Sequence, residues 1–256
     1  MSKFKRNDLR QINYNEYEFT KKELLMNLLI GVFLTFFIGY LFYRSIFIIF
    51  FLIPFSLLYL KYKKSILIDE RKWQLNLEFR DGLLSILAAL NAGYSIENAI
   101  KEALFDLKVL YGDSAYIVKE FEDMIFQIEM NRTIEEVLLD FANRSQLEDI
   151  YNFAEVFITA KRTGGDLIKI IRQTTKVIGD KIDVKREIKT LITAKQFETK
   201  IMNLIPLGII LYMWIFSPGF LDPLYHNFLG VMIMTISLIV YIIAFLLSKR
   251  ITSIEV

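Results

Sequence analysis

Few side chains in this sequence are of types that do chemistry, and their spacing argues against catalysis. The one histidine, His226, stands beside an apolar run, where it reads as an interfacial polar residue rather than a ligand or general base. Cysteine is absent, which excludes disulfides and thiolate chemistry and, with a single histidine, leaves a structural zinc site without a ligand set. No phosphate loop of Gly, four residues and Gly-Lys-Ser/Thr occurs. Gly164-Gly165 precedes Asp166, whose carboxylate would repel a phosphate. Acidic pairs stand at Glu122-Asp123, Glu135-Glu136 and Glu148-Asp149. The last two fall in or near first helical turns, where they complement the helix dipole, and a divalent-cation site is the weaker alternative. The sequence therefore predicts no catalytic residue, no cofactor and no metal.

The residues that stand out instead control backbone direction. Three places share one pattern, a helix, a short break and a new helix with an apolar second position. Gly93, Asn131 and Gly164 or Gly165 can adopt the left-handed conformation that ends a helix. Ser95, Thr133 and Asp166 can cap the helix that follows. Thr133 with Glu136 makes a capping box, and Ser95 with Asn98 approximates one.

These turns must be held by helices. Residues 65–200 contain no proline and carry apolar residues at helical spacing. One stripe is Phe79, Leu83, Ile86 and Leu90. A second is Ile150, Phe153, Ala154 and Phe157. A third is Leu167, Ile170, Ile171, Thr174, Val177 and Ile178. Together they predict three helical hairpins, a six-helix bundle with its own core.

Four apolar runs bracket this middle, at 24–43, 46–60, 201–216 and 228–247. With 54% hydrophobic residues and 23% charged ones, the charge is segregated outside these runs. A helix needs about 20 apolar residues to cross the hydrocarbon core. The shorter second and third runs contain Pro54 and Pro206, predicted to kink them. Basic residues flank one side only: Lys3, Lys5, Arg6, Arg10, Lys21 and Lys22, then Lys61, Lys63 and Lys64, then Lys195 and Lys200, then Lys249 and Arg250. Arg44 is a minor exception, and the connector 217–227 has neither Lys nor Arg. The bias predicts an all-α integral protein of the cell membrane with both termini cytoplasmic and no secretory signal peptide. The expected layout is a basic segment 1–23, a transmembrane hairpin 24–60, a cytoplasmic helical domain 61–200, a second hairpin 201–248 and a tail 249–256. Gly31, Thr35 and Gly39 predict one packed face, and Gly230, Ser237 and Ala244 another. A net charge of +2 opposes a nucleic-acid partner, and the N-terminal segment reads as a membrane-surface anchor.

The chain resembles the type II secretion system F family, the inner-membrane platform proteins of type II secretion and type IV pili. Within it the chain looks most like the TadB/TadC branch of tight-adherence (Flp) pilus machines. The likeness runs from about Leu75 to the end and rests on the order of several anchors. These are Ala92-Gly93 followed by Ser95-Ile96 and Ala99, the turn Arg162-x-Gly164-Gly165-x-Leu167, and a basic helix from Lys185 leading to Leu204-Ile205-Pro206. Pro218, Phe220-Leu221 and Leu224 ahead of Gly230 form another, and Arg-Ile-x-x-Ile-Glu-Val closes the chain. Asn131 replaces the family's glycine, and Thr193-Ala194-Lys195-Gln196 lacks the acidic residue often found there, so the choice between TadB and TadC stays open.

The resemblance implies a non-enzymatic platform that contacts a hexameric cytoplasmic ATPase and couples it to the lifting of pilin or pseudopilin subunits. It further implies a paralogous platform protein or a second copy as partner. Lys161, Arg162, Lys185 and Arg186 are candidate partner-binding residues, with a solvated face or lipid headgroups as the competing reading for the last two. The alternative functions are a small polytopic transporter and a membrane-anchored signalling protein. The first lacks charged groups at membrane depth, and the second lacks a sensor domain outside the membrane.

Overall fold

The computed structural model describes residues 13–17, 19–44, 56–225 and 227–252. Regular structure among them is wholly helical. The helices are α1 (Lys21–Tyr43), α2 (Ser56–Asn91), α3 (Ile96–Tyr111), α4 (Tyr116–Glu129), α5 (Ile134–Ser145), α6 (Glu148–Thr163), α7 (Leu167–Phe216), α8 (Asp222–Tyr225) and α9 (Phe228–Thr252). Pro54, His226, most of the run 46–60, the basic residues Lys3, Lys5, Arg6 and Arg10, and the ending 253–256 lie outside the described residues. The chain divides into two compact units, Met1–Glu18 with Ser65–Asp183, and Phe19–Lys64 with Val184–Val256.

The first unit is a helical bundle. It draws on α3 to α6 whole, the later part of α2 and the first turns of α7. Sequential helices pack on one another, α3 on α4, α4 on α5 and α5 on α6. An aromatic centre holds them. Phe79 meets Phe141 and Phe153 edge-on at 5.9 and 5.6 Å between ring centroids, and Phe153 leans on Phe157 at 5.8 Å. Edge-to-face pairs of this kind add about 1 kcal/mol each beyond the area they bury.

Two predicted stripes form core faces, Phe79-Leu83-Ile86 on α2, with the predicted Leu90 only partly buried against them, and Ile150-Phe153-Ala154-Phe157 on α6. The stripe on α7 is shifted. Ile171, Thr175, Ile178 and Ile182 are the buried positions, while Val177 is 48% exposed. A spacing of 4, 3 and 4 follows the 3.6-residue period more closely than the run of apolar residues did. Thr175 is tolerated inside because its hydroxyl donates to the carbonyl of Ile171 at 2.7 Å.

The second unit contains the apolar segments. Three helices among the described residues are long and apolar enough to cross a membrane: Lys21–Tyr43, Leu167–Phe216 in its apolar part, and Phe228–Ser248. Helix α7 continues through Gly179 and Pro206. Pro206 has no N–H, so the carbonyl of Met202 loses its helical donor there. The core of this unit comprises Leu41, Phe42, Tyr43, Tyr225, Met234 and Leu238. On α1, Gly31 and Gly39 are buried. On α9 the packed face is Gly230, Met234 and Leu238, and the predicted Ser237 and Ala244 are exposed. The larger Met234 and Leu238 side chains claim the contact in place of the small residues.

Candidate functional site

The three predicted turns share one geometry. At the end of α2, Gly93 has φ +91, its N–H donates to Leu90 at 3.0 Å, and the N–H of Tyr94 reaches the carbonyl of Ala89 at 3.1 Å. At the end of α4, Asn131 has φ +65, donates to Ile128 at 2.9 Å, and the N–H of Arg132 reaches Gln127 at 3.1 Å. At the end of α6, Gly164 takes φ +71, and the N–H of Gly165 reaches Ala160 at 2.8 Å. These are Schellman closures, which satisfy carbonyls that the helix leaves open. Gly164, not Gly165, is the left-handed residue; Gly165 is needed for space, since a Cβ there would stand 3.3 Å from that of Ala160.

The following helices are capped in turn. Ser95 Oγ accepts from the N–H of Asn98 at 3.4 Å, and Asp166 Oδ1 from that of Lys169 at 3.0 Å. Thr133 and Glu136 exchange both bonds of a capping box. Two further turns carry no such signature. Gln146 is left-handed with φ +49, and Gly112 has φ +76. Between them they separate α5 from α6 and α3 from α4.

Acidic side chains hold the bundle from within. Glu78, 1% exposed, sits on α2 and accepts from the N–H of Ile117 at 3.0 Å. It thereby caps α4, whose own N-cap residue, Ala115, has no side-chain acceptor. Glu120, 2% exposed, takes a two-pronged bond from Arg144, at 2.9 Å to Oε1 and 2.7 Å to Oε2. Arg144 also donates to Asp140 at 2.9 Å and lies 3.5 Å from Asp123. Burial pushes the Glu120 carboxyl up, against the pull of Arg144. Members of the acidic pairs bond nearer the surface. Glu122 meets Lys108 at 2.6 Å, and Asp149 joins Asn76 at 3.0 Å and Lys181 at 2.5 Å. Among the described residues no three carboxylate or imidazole groups converge on a metal position.

Of the candidate partner-binding residues, Lys161 and Arg162 belong to the first unit and Lys185 and Arg186 to the second. Lys161 already pairs with Glu135 at 2.9 Å and holds that carboxyl below its ordinary range. Arg162 is exposed in the last turn of α6.

A bundle of paired helices, the Arg162-to-Leu167 turn and a long helix continuing into an apolar span are the parts the sequence resemblance requires. A family model for protein F of the type II secretion system matches residues 83–215. The chain belongs to that family. The match takes in α3 to α6 whole, the end of α2 and nearly all of α7. Family members are structural platform proteins of the inner membrane, serving type II secretion and type IV pili. No curated protein and no solved structure matches the chain.

Seen as part of a platform protein, the Glu78 cap and the Glu120–Arg144 pair do structural work that sequence reading missed. One signal was available. Glu120 falls in the stripe Ile117, Glu120, Phe121 and Met124, where a carboxylate on an apolar face demands a buried partner.

Proposed function

We propose that this platform protein couples a cytoplasmic ATPase to the assembly of pilin or pseudopilin subunits, without catalysis of its own, in a tight-adherence machine of the TadB/TadC kind. The reading rests foremost on the family match over 83–215. Helix α7 supports it, because one unbroken 50-residue helix begins among bundle residues and ends in an apolar span. Force applied to the bundle has a covalent, hydrogen-bonded path into the membrane part. In this reading the chain crosses the membrane four times, with both termini and the bundle in the cytoplasm and 217–227 outside. The ATPase docks on the exposed basic surface that includes Arg162, and a paralogue or second copy completes the platform within the bilayer.

Deletion of the gene tests the coupling. The expected outcome is loss of pilin assembly while the ATPase still hydrolyses ATP; retained assembly overturns the proposal. Reversal of Arg162 to Glu should weaken co-purification of the ATPase and reduce its salt dependence. Because the chain has no native cysteine, a single cysteine at Gly219 reports topology through labelling by an impermeant thiol reagent from outside.

A further inference from the structure

The residues just ahead of α1 do not trail along a membrane surface. Tyr14 is fully buried in the core of the first unit. Its hydroxyl donates to Glu120 Oε1 at 2.8 Å, and its ring meets Tyr116 edge-on at 6.0 Å. Arg71 of α2 lies over the rings of Tyr17 and Tyr116, at 4.8 and 5.5 Å, and donates to the carbonyl of Glu16 at 3.3 Å. A small turn presents the tyrosine, with the N–H of Asn15 donating to Asn13 Oδ1 at 3.0 Å. Four helices or segments thus meet at one place: the strap 13–17, Arg71 on α2, Tyr116 and Glu120 on α4, and Arg144 on α5.

We propose that residues 13–17 are a latch that opens from the bundle and closes on it while the bundle stays folded. Two features limit the cost of separate opening. The Glu120 carboxylate keeps both bonds to Arg144 when Tyr14 leaves, and Arg144 keeps Asp140, so opening strands no buried charge. The strap's backbone-to-backbone bond among the described residues is local, from the N–H of Glu16 to the carbonyl of Asn13 at 3.4 Å, so its departure breaks no helix ladder. Its cost is one aromatic ring, one charge-assisted hydrogen bond and the stacking on Arg71, far less than unfolding a bundle. Once open, the bundle presents an acceptor oxygen on Glu120, the face of Tyr116 and the Arg71 guanidinium. That chemistry recognises a tyrosine on a tight turn, and the strap is the occupant the chain itself supplies.

The full-length chain in lipid nanodiscs tests this. Acetylation of Tyr14 by N-acetylimidazole, followed by mass spectrometry, reads the latch, and hydrogen exchange over α4 to α6 reads the bundle. In the native chain Tyr14 should be modified at least about tenfold faster than the bundle core exchanges through global opening. Arg71→Ala should raise the Tyr14 rate severalfold and leave exchange in α4 to α6 unchanged. Tyr14→Phe should likewise leave the bundle protected. Modification of Tyr14 only at the rate of global opening overturns the proposal. So does an unchanged Tyr14 rate in Arg71→Ala, or loss of bundle protection in either variant, which would make the strap an inseparable part of the core.

Discussion

The two units of this platform protein solve the problem of holding helices together by different means. The bundle of the first unit uses aromatic packing and closes its interior with ionised side chains, each matched to a partner. The packed core of the second unit contains no charged side chain among the described residues. Its helices are joined by hydroxyl groups reaching backbone carbonyls, Tyr225 to Leu41 at 2.9 Å and Tyr241 to Asn203 at 3.0 Å, and by close backbone approach at Gly230. Hydroxyls suit an apolar surrounding because they satisfy their hydrogen bonds without a charge to desolvate, whereas the bundle's buried carboxylates need strong donors aimed at them, Arg144 at Glu120 and the N–H of Ile117 at Glu78. An exposed ion pair departs from this division. Arg44, at odds with the charge bias, ends α1 in a left-handed conformation and lies 3.0 Å from Asp222.

The contrast is open to direct challenge, beginning with the largest effect. Arg144→Ala leaves Glu120 buried and unpaired, and should destabilise the bundle by about 3–5 kcal/mol, read as a lower midpoint of thermal unfolding in detergent. A loss under 1 kcal/mol would mean that the ion pair is incidental. Gly230→Ala comes next. A Cβ there would stand 2.6 Å from Leu224 Cα and from the carbonyl oxygens of Leu224 and Pro223. The corner between α8 and α9 must open at a cost of about 1–3 kcal/mol, visible as faster protease cleavage of 217–227 with the bundle's hydrogen exchange unchanged. Gly93→Val isolates backbone conformation, since nothing lies within 4 Å of the added Cβ. At φ +91 the variant should lose about 1–2 kcal/mol, and Asn131→Gly at the matching turn should lose nothing. Equal stability of Gly93→Val and the native chain would reject the shared turn geometry. Tyr241→Phe is the mildest test, with about 0.5–1.5 kcal/mol for one hydroxyl, read from unfolding of the second unit.

Much of the bundle was legible in the sequence because its signals are local. Apolar spacing on α2 and α6, the left-handed residues Gly93, Asn131 and Gly164, and the caps Ser95, Thr133 and Asp166 each involve neighbours within one or two turns. The turn at Gln146 escaped notice because glutamine carries no mark for the left-handed region. The role of Glu78 escaped because its partner, the N–H of Ile117, lies 39 residues away. The pairing of Lys161 with Glu135 is equally invisible in the sequence, since Glu135 reaches it only once α5 packs on α6.

By itself the sequence determined the helical class, the apolar spans, the turn chemistry and the family resemblance. All of these follow from residue type and short-range periodicity, which the backbone reads without a partner. Only the tertiary structure decided which carboxylates meet which cations, which face of α9 is packed, and that Tyr14 belongs to a bundle core rather than to a basic tail. Those outcomes depend on groups far apart in the chain being brought within hydrogen-bond distance, 106 residues apart for Tyr14 and Glu120 and 184 for Tyr225 and Leu41. A buried polar group must find such a partner to be stable, but nothing in its local sequence names which one it will be.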